Sequence, residues 1–200
     1  MKMVAVTQRV AVVPDYGERR DCLDQAWTKF LDICGLLPLL LPNHTETALA
    51  LCEKAGIAGV VLTGGNDLAV CGGEAPERDA VELALLEWAG RRAMPLLGVC
   101  RGMQMIQHFF GVALRRVEGH IAPHTVTCTG GERRKVNSFH RFAAFDSRSP
   151  LDVWAVAADG AIEAVRHSPR LLTGMMWHPE RCMPFSADDV ALFRQVFGVD

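Results

Sequence analysis

Leu96-Leu97-Gly98-Val99-Cys100-Arg101-Gly102-Met103-Gln104 is the stretch on which the reading of the fold turns. A short apolar run, residues 95–99, has the look of a buried strand. It enters the pattern G-x-C-x-G and continues into helical sequence over residues 102–110. A strand passing straight into a helix through two glycines is a nucleophile elbow, here with cysteine as its central residue. The glycines are needed because the turn is sharp and neighbouring backbone comes close. The elbow holds the Cys100 sulfur clear of the sheet at a helix N-terminus, where partial positive charge favours thiolate. A cysteine without this context reads as a small buried hydrophobe.

The same alternation extends outward on both sides. Residues 3–13 read as a strand, 21–34 as a helix with Ala26, Trp27, Phe30, Leu31 and Cys34 on one face, and 37–41 as a second strand. Residues 45–54 form a helix closed by Gly56, and 59–62 a buried strand followed by the turn Thr63-Gly64-Gly65-Asn66-Asp67. Residues 77–92 are a helix with acidic residues early and Arg91 and Arg92 late. The charged stretch 74–82 reads as the solvated start of that helix. A β-α-β-α order predicts an α/β fold with a mostly parallel sheet and helices on both faces. Beyond Gly111 the texture changes to short strand-like pieces (113–117, 125–128, 153–158, 162–166, 171–177), which predict antiparallel additions. Ser186 caps a last helix ending at Phe197. No repeat or linker interrupts the chain, so residues 1–200 read as a single domain.

Composition narrows the functional classes. Of 200 residues 50% are hydrophobic and 22% charged, which excludes a disordered chain. A formal net charge of −2 gives no general attraction to nucleic acid or to an anionic membrane, and neither is expected as a partner. No apolar run is long enough for a membrane span or placed as a signal segment. Seven cysteines, none in a C-x-x-C pair, read as reduced thiols of a cytoplasmic protein. His120, His124 and Cys128 stand four apart, but Pro123 and Thr125-Val126-Thr127 argue against a helix there, so no metal is expected, and no cofactor.

A cysteine nucleophile needs a base and a group that orients the base. His178, in Met176-Trp177-His178-Pro179-Glu180, lies at the end of an apolar strand, where sites of open α/β sheets collect. Glu180 is placed to hold its tautomer. The oxyanion of an acyl transfer needs donors, and the backbone N–H of Arg101 and the Gly64-Gly65 turn are the candidates.

With these residues in place the sequence resembles the class I glutamine amidotransferase-like family, in its γ-glutamyl hydrolase (peptidase C26-type) branch. The resemblance rests on Leu62-Thr63-Gly64-Gly65-Asn66-Asp67-Leu68, Gly98-Val99-Cys100-Arg101-Gly102-Met103-Gln104, Val136-Asn137-Ser138-Phe139-His140 and Trp177-His178-Pro179-Glu180. It implies a flavodoxin-like, doubly wound fold and a catalytic triad of Cys100, His178 and Glu180 acting through a γ-glutamyl thioester. Gly65 and Arg101 would supply oxyanion amides, with Gly64 beside them. Gln104 would help hold the glutamyl group. The segment with Asn137, Ser138, His140, Arg141 and Phe142 would contact its α-amino and α-carboxylate end. Many relatives have His-Gln or His-His-Gln after that serine, and this chain has Phe139-His140-Arg141-Phe142.

A finer likeness concerns the leaving group. Val6-Thr7-Gln8-Arg9, Arg19-Arg20-Asp21, Gln25 and Trp27, in a short chain, resemble the small γ-glutamyl-CDP-amidate hydrolases of capsular phosphoramidate synthesis. A diphosphate leaving group needs cations. Arg9, Arg19 and Arg20, at or before the first helix, are candidates, as are Arg133, Arg134 and Lys135; each cluster reads equally well as solvated surface. The expected partner is a small γ-glutamyl substrate, and a homodimer is left open. A glutaminase subunit serving a separate synthase, a hydrolase of another γ-glutamyl conjugate (aminobutyrate type) and a silent binding protein are the other readings.

Overall fold

In the computed structural model, which describes residues 1–200 apart from the side chain of residue 170, the elements in chain order are β1 (Lys2–Val6), β2 (Arg9–Val12), β3 (Arg19–Cys22), α1 (Ala26–Ile33), β4 (Leu36–Leu40), α2 (Thr45–Ala55), β5 (Val60–Leu62), α3 (Pro76–Arg91), β6 (Leu96–Val99), α4 (Arg101–Phe109), β7 (Arg115–Arg116), β8 (His124–Cys128), β9 (Arg133–Val136), β10 (Phe142–Ala143), β11 (Asp152–Ala157), β12 (Ile162–His167), β13 (Leu172–Met175) and α5 (Ala187–Phe197). Nine strands form one sheet in the order β4-β1-β5-β6-β13-β12-β11-β8-β9. The first five run parallel and the remaining pairings are antiparallel. Counted along the chain, the parallel strands have the order 2-1-3-4-5 of flavodoxin-like sheets. The α/β class and the antiparallel second half are as expected.

Strand periodicity divides the core. Val60, Leu62 and Leu96 point to one face, with Ala48 and Cys52 of α2, Val81 and Leu85 of α3, and Met105 and Ile106 of α4. Val61, Leu97 and Val99 point to the other, with Trp27, Phe30 and Leu31 of α1 and Phe193 and Phe197 of α5. Strands covered on both faces have no polar side, which is why they read as unbroken apolar runs. Phe30 and Phe193 meet edge to face, centroids 4.8 Å apart, and lock α1 to α5.

The chain's beginning departs from expectation. Residues 3–13 are two strands rather than one. β2 leaves the main sheet and pairs with β3 alone, from Arg9↔Cys22 to Val12↔Arg19. Arg19 and Arg20 therefore lie on a strand, and α1 starts only at Ala26. The break falls where polar side chains are drawn inward: Thr7 Oγ1 donates to Glu82 (2.9 Å) and Gln8 Nε2 to the Leu41 carbonyl (2.9 Å). Apolar periodicity runs through such a break unchanged, because Val4, Val6 and Val10 are buried on both sides of it.

Candidate active site

The C-terminal ends of β1, β5, β6 and β13 converge, and the sharpest turn among them is the elbow. Cys100 has φ 51° and ψ −105°, a backbone conformation that L side chains rarely adopt. Its N–H donates to the Met175 carbonyl at 2.7 Å and its own carbonyl accepts from Gln104 N–H at 3.0 Å. A Cβ at Gly98 would stand 2.6 Å from the Gly102 carbonyl, and one at Gly102 would stand 2.2 Å from the Leu62 oxygen. Both glycines are thus fixed by backbone contact, one holding the turn closed and one letting α4 reach β5.

His178 follows β13 and is gripped from the loop opposite. Its N–H donates to Asn137 Oδ1 at 2.7 Å, and Asn137 Nδ2 donates to its carbonyl at 2.8 Å. Nδ1 lies 2.7 Å from Glu180 Oε1, and the Cys100 sulfur is near enough to act on the charge of the ring. Phe139 packs edge-on against the imidazole at 5.5 Å. Gly64 is needed on the other side, since a Cβ there would stand 2.5 Å from His178 Cε1. Burial pulls the imidazole pKa down, but the Cys100 sulfur and then Glu180 outweigh it and hold it up at about 9. A protonated imidazole favours thiolate in a neighbouring sulfur.

The turn at residues 63–67 is braced by charges that the sequence reading had assigned to solvent. Arg78 and Glu82, four apart on α3, are both fully buried, so the stretch 74–82 is not a solvated helix start. Arg78 donates to the carbonyls of Thr63 (2.7 Å) and Gly65, and Glu82 accepts from Thr7, Arg78 and Arg101. The Arg101 side chain also binds Asp79, while its backbone N–H belongs to the first turn of α4, where helix donors have no intrahelical partner. Gly65 has φ +84°. Asn66 ties this turn to the β2–β3 ribbon, accepting from Val10 N–H (2.8 Å) and donating to its carbonyl (2.9 Å).

Two cavities meet at Gly65. One, of about 340 Å³, is lined by Cys100, Gln104, Asp67, Phe139 and Arg141 among others. The other, of about 180 Å³, lies past the His178 ring and is lined by Arg9, Trp27, Gly64, His178, Glu180 and Arg181. The expected site residues divide accordingly. Gln104, Gly65, His140 and Arg141 border the first cavity and Arg9 the second. Gln104 Nε2 also donates to the Phe142 carbonyl at 2.8 Å. Asn137 and Ser138 spend their side chains internally, Asn137 on His178 and Ser138 on the His120 carbonyl (2.6 Å). Arg19 pairs with Glu77 and Arg20 with Glu18, on the far part of the ribbon. Arg134 pairs with Asp189 (2.9 Å) and covers Trp177, so it anchors β9 to α5; its β9 neighbours Arg133 and Lys135 are exposed. Asp67, Arg78, Glu82 and Arg181 went unassigned from sequence. Only Arg181, adjacent to Glu180, carried a local signal.

Comparison with known proteins follows the same lines. The chain matches the sequence profile of the family Peptidase C26 over residues 2–129 and 120–180. It is 34% identical over 183 residues to the γ-glutamyl-CDP-amidate hydrolase of Campylobacter jejuni, covering 89% of this chain and 90% of that one. It is 30% identical over 159 residues to anthranilate synthase component 2 of Saccharolobus solfataricus, covering 73% and 78%. Among solved structures, a glutamine amidotransferase from Thermotoga maritima superposes with a TM-score of 0.68 at 17% identity, covering 100% of this chain and 86% of that one.

Proposed function

Because the chain belongs to the Peptidase C26 family, we propose that it is a cysteine-dependent γ-glutamyl hydrolase that releases glutamate from a γ-glutamyl amide. Cys100 attacks the γ-carbonyl carbon, and the carbonyl electrons move onto oxygen beside the backbone N–H groups of Gly65 and Arg101. Collapse expels the leaving nitrogen, which takes the proton held at His178, and leaves a γ-glutamyl thioester. His178 then removes a proton from water, the water oxygen attacks the thioester, and sulfur departs as thiolate. The observation that carries this reading is His178, bonded to Glu180 and coupled to the Cys100 sulfur, at the meeting point of two cavities.

The cavities match the two halves of such a substrate. Apart from Arg101, whose guanidinium is held by Glu82 and Asp79, the larger offers one arginine and one carboxylate, Arg141 and Asp67, as a zwitterionic α-amino acid end requires. The smaller offers Arg9 and Arg181 beyond the imidazole, where the leaving group would sit, with Asp24 also on its wall and, like Glu180, 3.6 Å from Arg181. Two guanidiniums suit a diphosphate, and the likeness to the Campylobacter jejuni enzyme makes γ-glutamyl-CDP-amidate the proposed substrate, hence a role in capsule synthesis in the cytoplasm. The likeness to an anthranilate synthase component favours a second reading, a glutaminase that passes ammonia to a partner synthase.

A panel of γ-glutamyl conjugates (CDP-amidate, polyamine, aminobutyrate, polyglutamate and glutamine) compared by kcat/KM separates them. Unaided turnover with the CDP-amidate far ahead is expected, and loss of it in Cys100→Ala with an unchanged circular dichroism spectrum. An overwhelming preference for glutamine would defeat the stand-alone hydrolase.

A further inference from the structure

A second polar cluster lies behind the substrate loop, outside the line of Cys100, His178 and Glu180. Glu163 on β12 is fully buried, and three histidines from three positions face one of its oxygens. His120 Nδ1 stands 3.2 Å from Glu163 Oε1, His124 Nε2 3.3 Å and His140 Nε2 3.3 Å. None of these contacts has hydrogen-bond geometry: all three nitrogens and both Glu163 oxygens are buried and unbonded. The ligand atoms of His120, His124 and Glu163 lie within 4.8 Å of one another.

The other nitrogens of these rings explain the arrangement. His120 Nε2 bonds the Asp159 carboxylate at 3.0 Å and His140 Nδ1 the Phe142 carbonyl at 3.1 Å. Carboxylates and carbonyls only accept, so these two rings donate their N–H outward. In the neutral tautomer the inward nitrogen is then a bare lone pair that faces a carboxylate. Only positive charge between them makes that stable: further protons on the rings, or one cation. Metal-bound histidines show the second pattern, with the outward N–H on a carboxylate or carbonyl. Ligand bonds of ~2.0–2.2 Å in a tetrahedron place neighbouring donor atoms about 3.3 Å apart, the spacing seen around Glu163.

We propose that His120, His124 and Glu163, with His140 beside the carboxylate, form a binding site for a zinc-class divalent cation. Imidazoles and a carboxylate are a borderline donor set that suits zinc. A cation there would support the loop of residues 137–142. His140 belongs to that loop, and the His120 carbonyl already accepts from Ser138 Oγ and His140 N–H. The expectation of no metal rested on a helical spacing that included Cys128; the actual geometry uses a strand, a loop and β12, and leaves Cys128 aside.

The test separates this site from zinc taken up by the Cys100 thiolate. The full-length Cys100→Ala protein, purified without chelator, is analysed for zinc, stripped, and retitrated with Zn²⁺ against a chromophoric competitor. Stoichiometric zinc with X-ray absorption showing only nitrogen and oxygen neighbours is expected. His124→Ala, at a partly exposed strand position, should weaken Zn²⁺ binding by more than the ~10–100-fold that an outer-shell partner is worth. Glu163→Gln should do the same, and circular dichroism shows whether it folds. Sulfur in the absorption spectrum, zinc absent from Cys100→Ala, or affinity unchanged in His124→Ala would each overturn the site. None of these readouts depends on the substrate.

Discussion

Asn137 is the residue whose role the geometry changes most. Its side-chain amide bonds the His178 backbone at both the N–H and the carbonyl, and under the proposed function it sets the position of the imidazole. Asn137→Ala should lower kcat on the order of 10²-fold, the cost of a misplaced reacting group, with a much smaller change in KM. A rise in KM at constant kcat would return Asn137 to a binding role. Glu180 acts through the same ring. With His178 held up at about 9, kcat/KM should fall as pH rises through about 9, because the leaving nitrogen loses its proton donor. Glu180→Gln should move that limb to lower pH; an unmoved limb would separate Glu180 from the titration. The sign for stability is the same. The folded pKa exceeds the ordinary histidine value of 6.5, so the contribution is complete below about 6.5 and lost as pH rises through about 9. Denaturant titrations of wild type against His178→Gln across that window should show the difference shrinking with pH. By contrast, burial pushes Cys34 to about 12 and Cys52 to about 11, so these thiols stay protonated at neutral pH.

At the scale of elements, the elbow was legible because its constraint is local. Gly98 and Gly102 are separated from Cys100 by one residue each, and their packing shows in spacing alone. Gly102→Ala should destabilise the fold by at least the ~1–3 kcal/mol of an overpacked core, since the clash is with Leu62 backbone and no side chain can yield. A thermal midpoint equal to wild type would refute that contact. The brace on the turn at residues 63–67 was illegible for the opposite reason. Arg78 and Glu82 sit at a spacing that suits a surface pair, and only the carbonyls of Thr63 and Gly65, more than ten residues earlier, make burial tolerable. Arg78→Met should cost on the order of 1–3 kcal/mol, the value of leaving buried carbonyls without their donor, since Glu82 keeps Arg101 and Thr7, read by urea unfolding. The ribbon of β2 and β3 was hidden likewise, because its strands are recognised by their pairing and the sequence of β3 (Arg19-Arg20-Asp21-Cys22) has no apolar alternation.

At the scale of the molecule, the parallel and antiparallel halves are one hydrogen-bonded sheet. β6 from the first half pairs with β13 from the last quarter of the chain, Leu96↔Leu172 through Val99↔Met175, and α5 closes over the face that α1 began. Among the described residues no helix is long and apolar enough to cross a membrane. β6, which leads into Cys100, is paired with a strand from the far end of the chain, so the halves should not unfold separately. Calorimetric and van't Hoff enthalpies should agree, and near- and far-ultraviolet circular dichroism should melt together. Two resolved transitions would divide the chain into two domains.

The β2–β3 ribbon has a consequence for descent. Its strands pair only with each other, and Asn66 clasps Val10 to the turn at residues 63–67 by two bonds. Under the proposed function it carries one of the two cations of the leaving-group cavity, while the nucleophile, the base and the oxyanion turn belong to the sheet. A lineage could therefore exchange the ribbon and acquire a new leaving group while inheriting the chemistry intact. Selectivity and catalysis are heritable separately in such a chain, and divergence among relatives should concentrate in residues 8–22 before it reaches the strand ends.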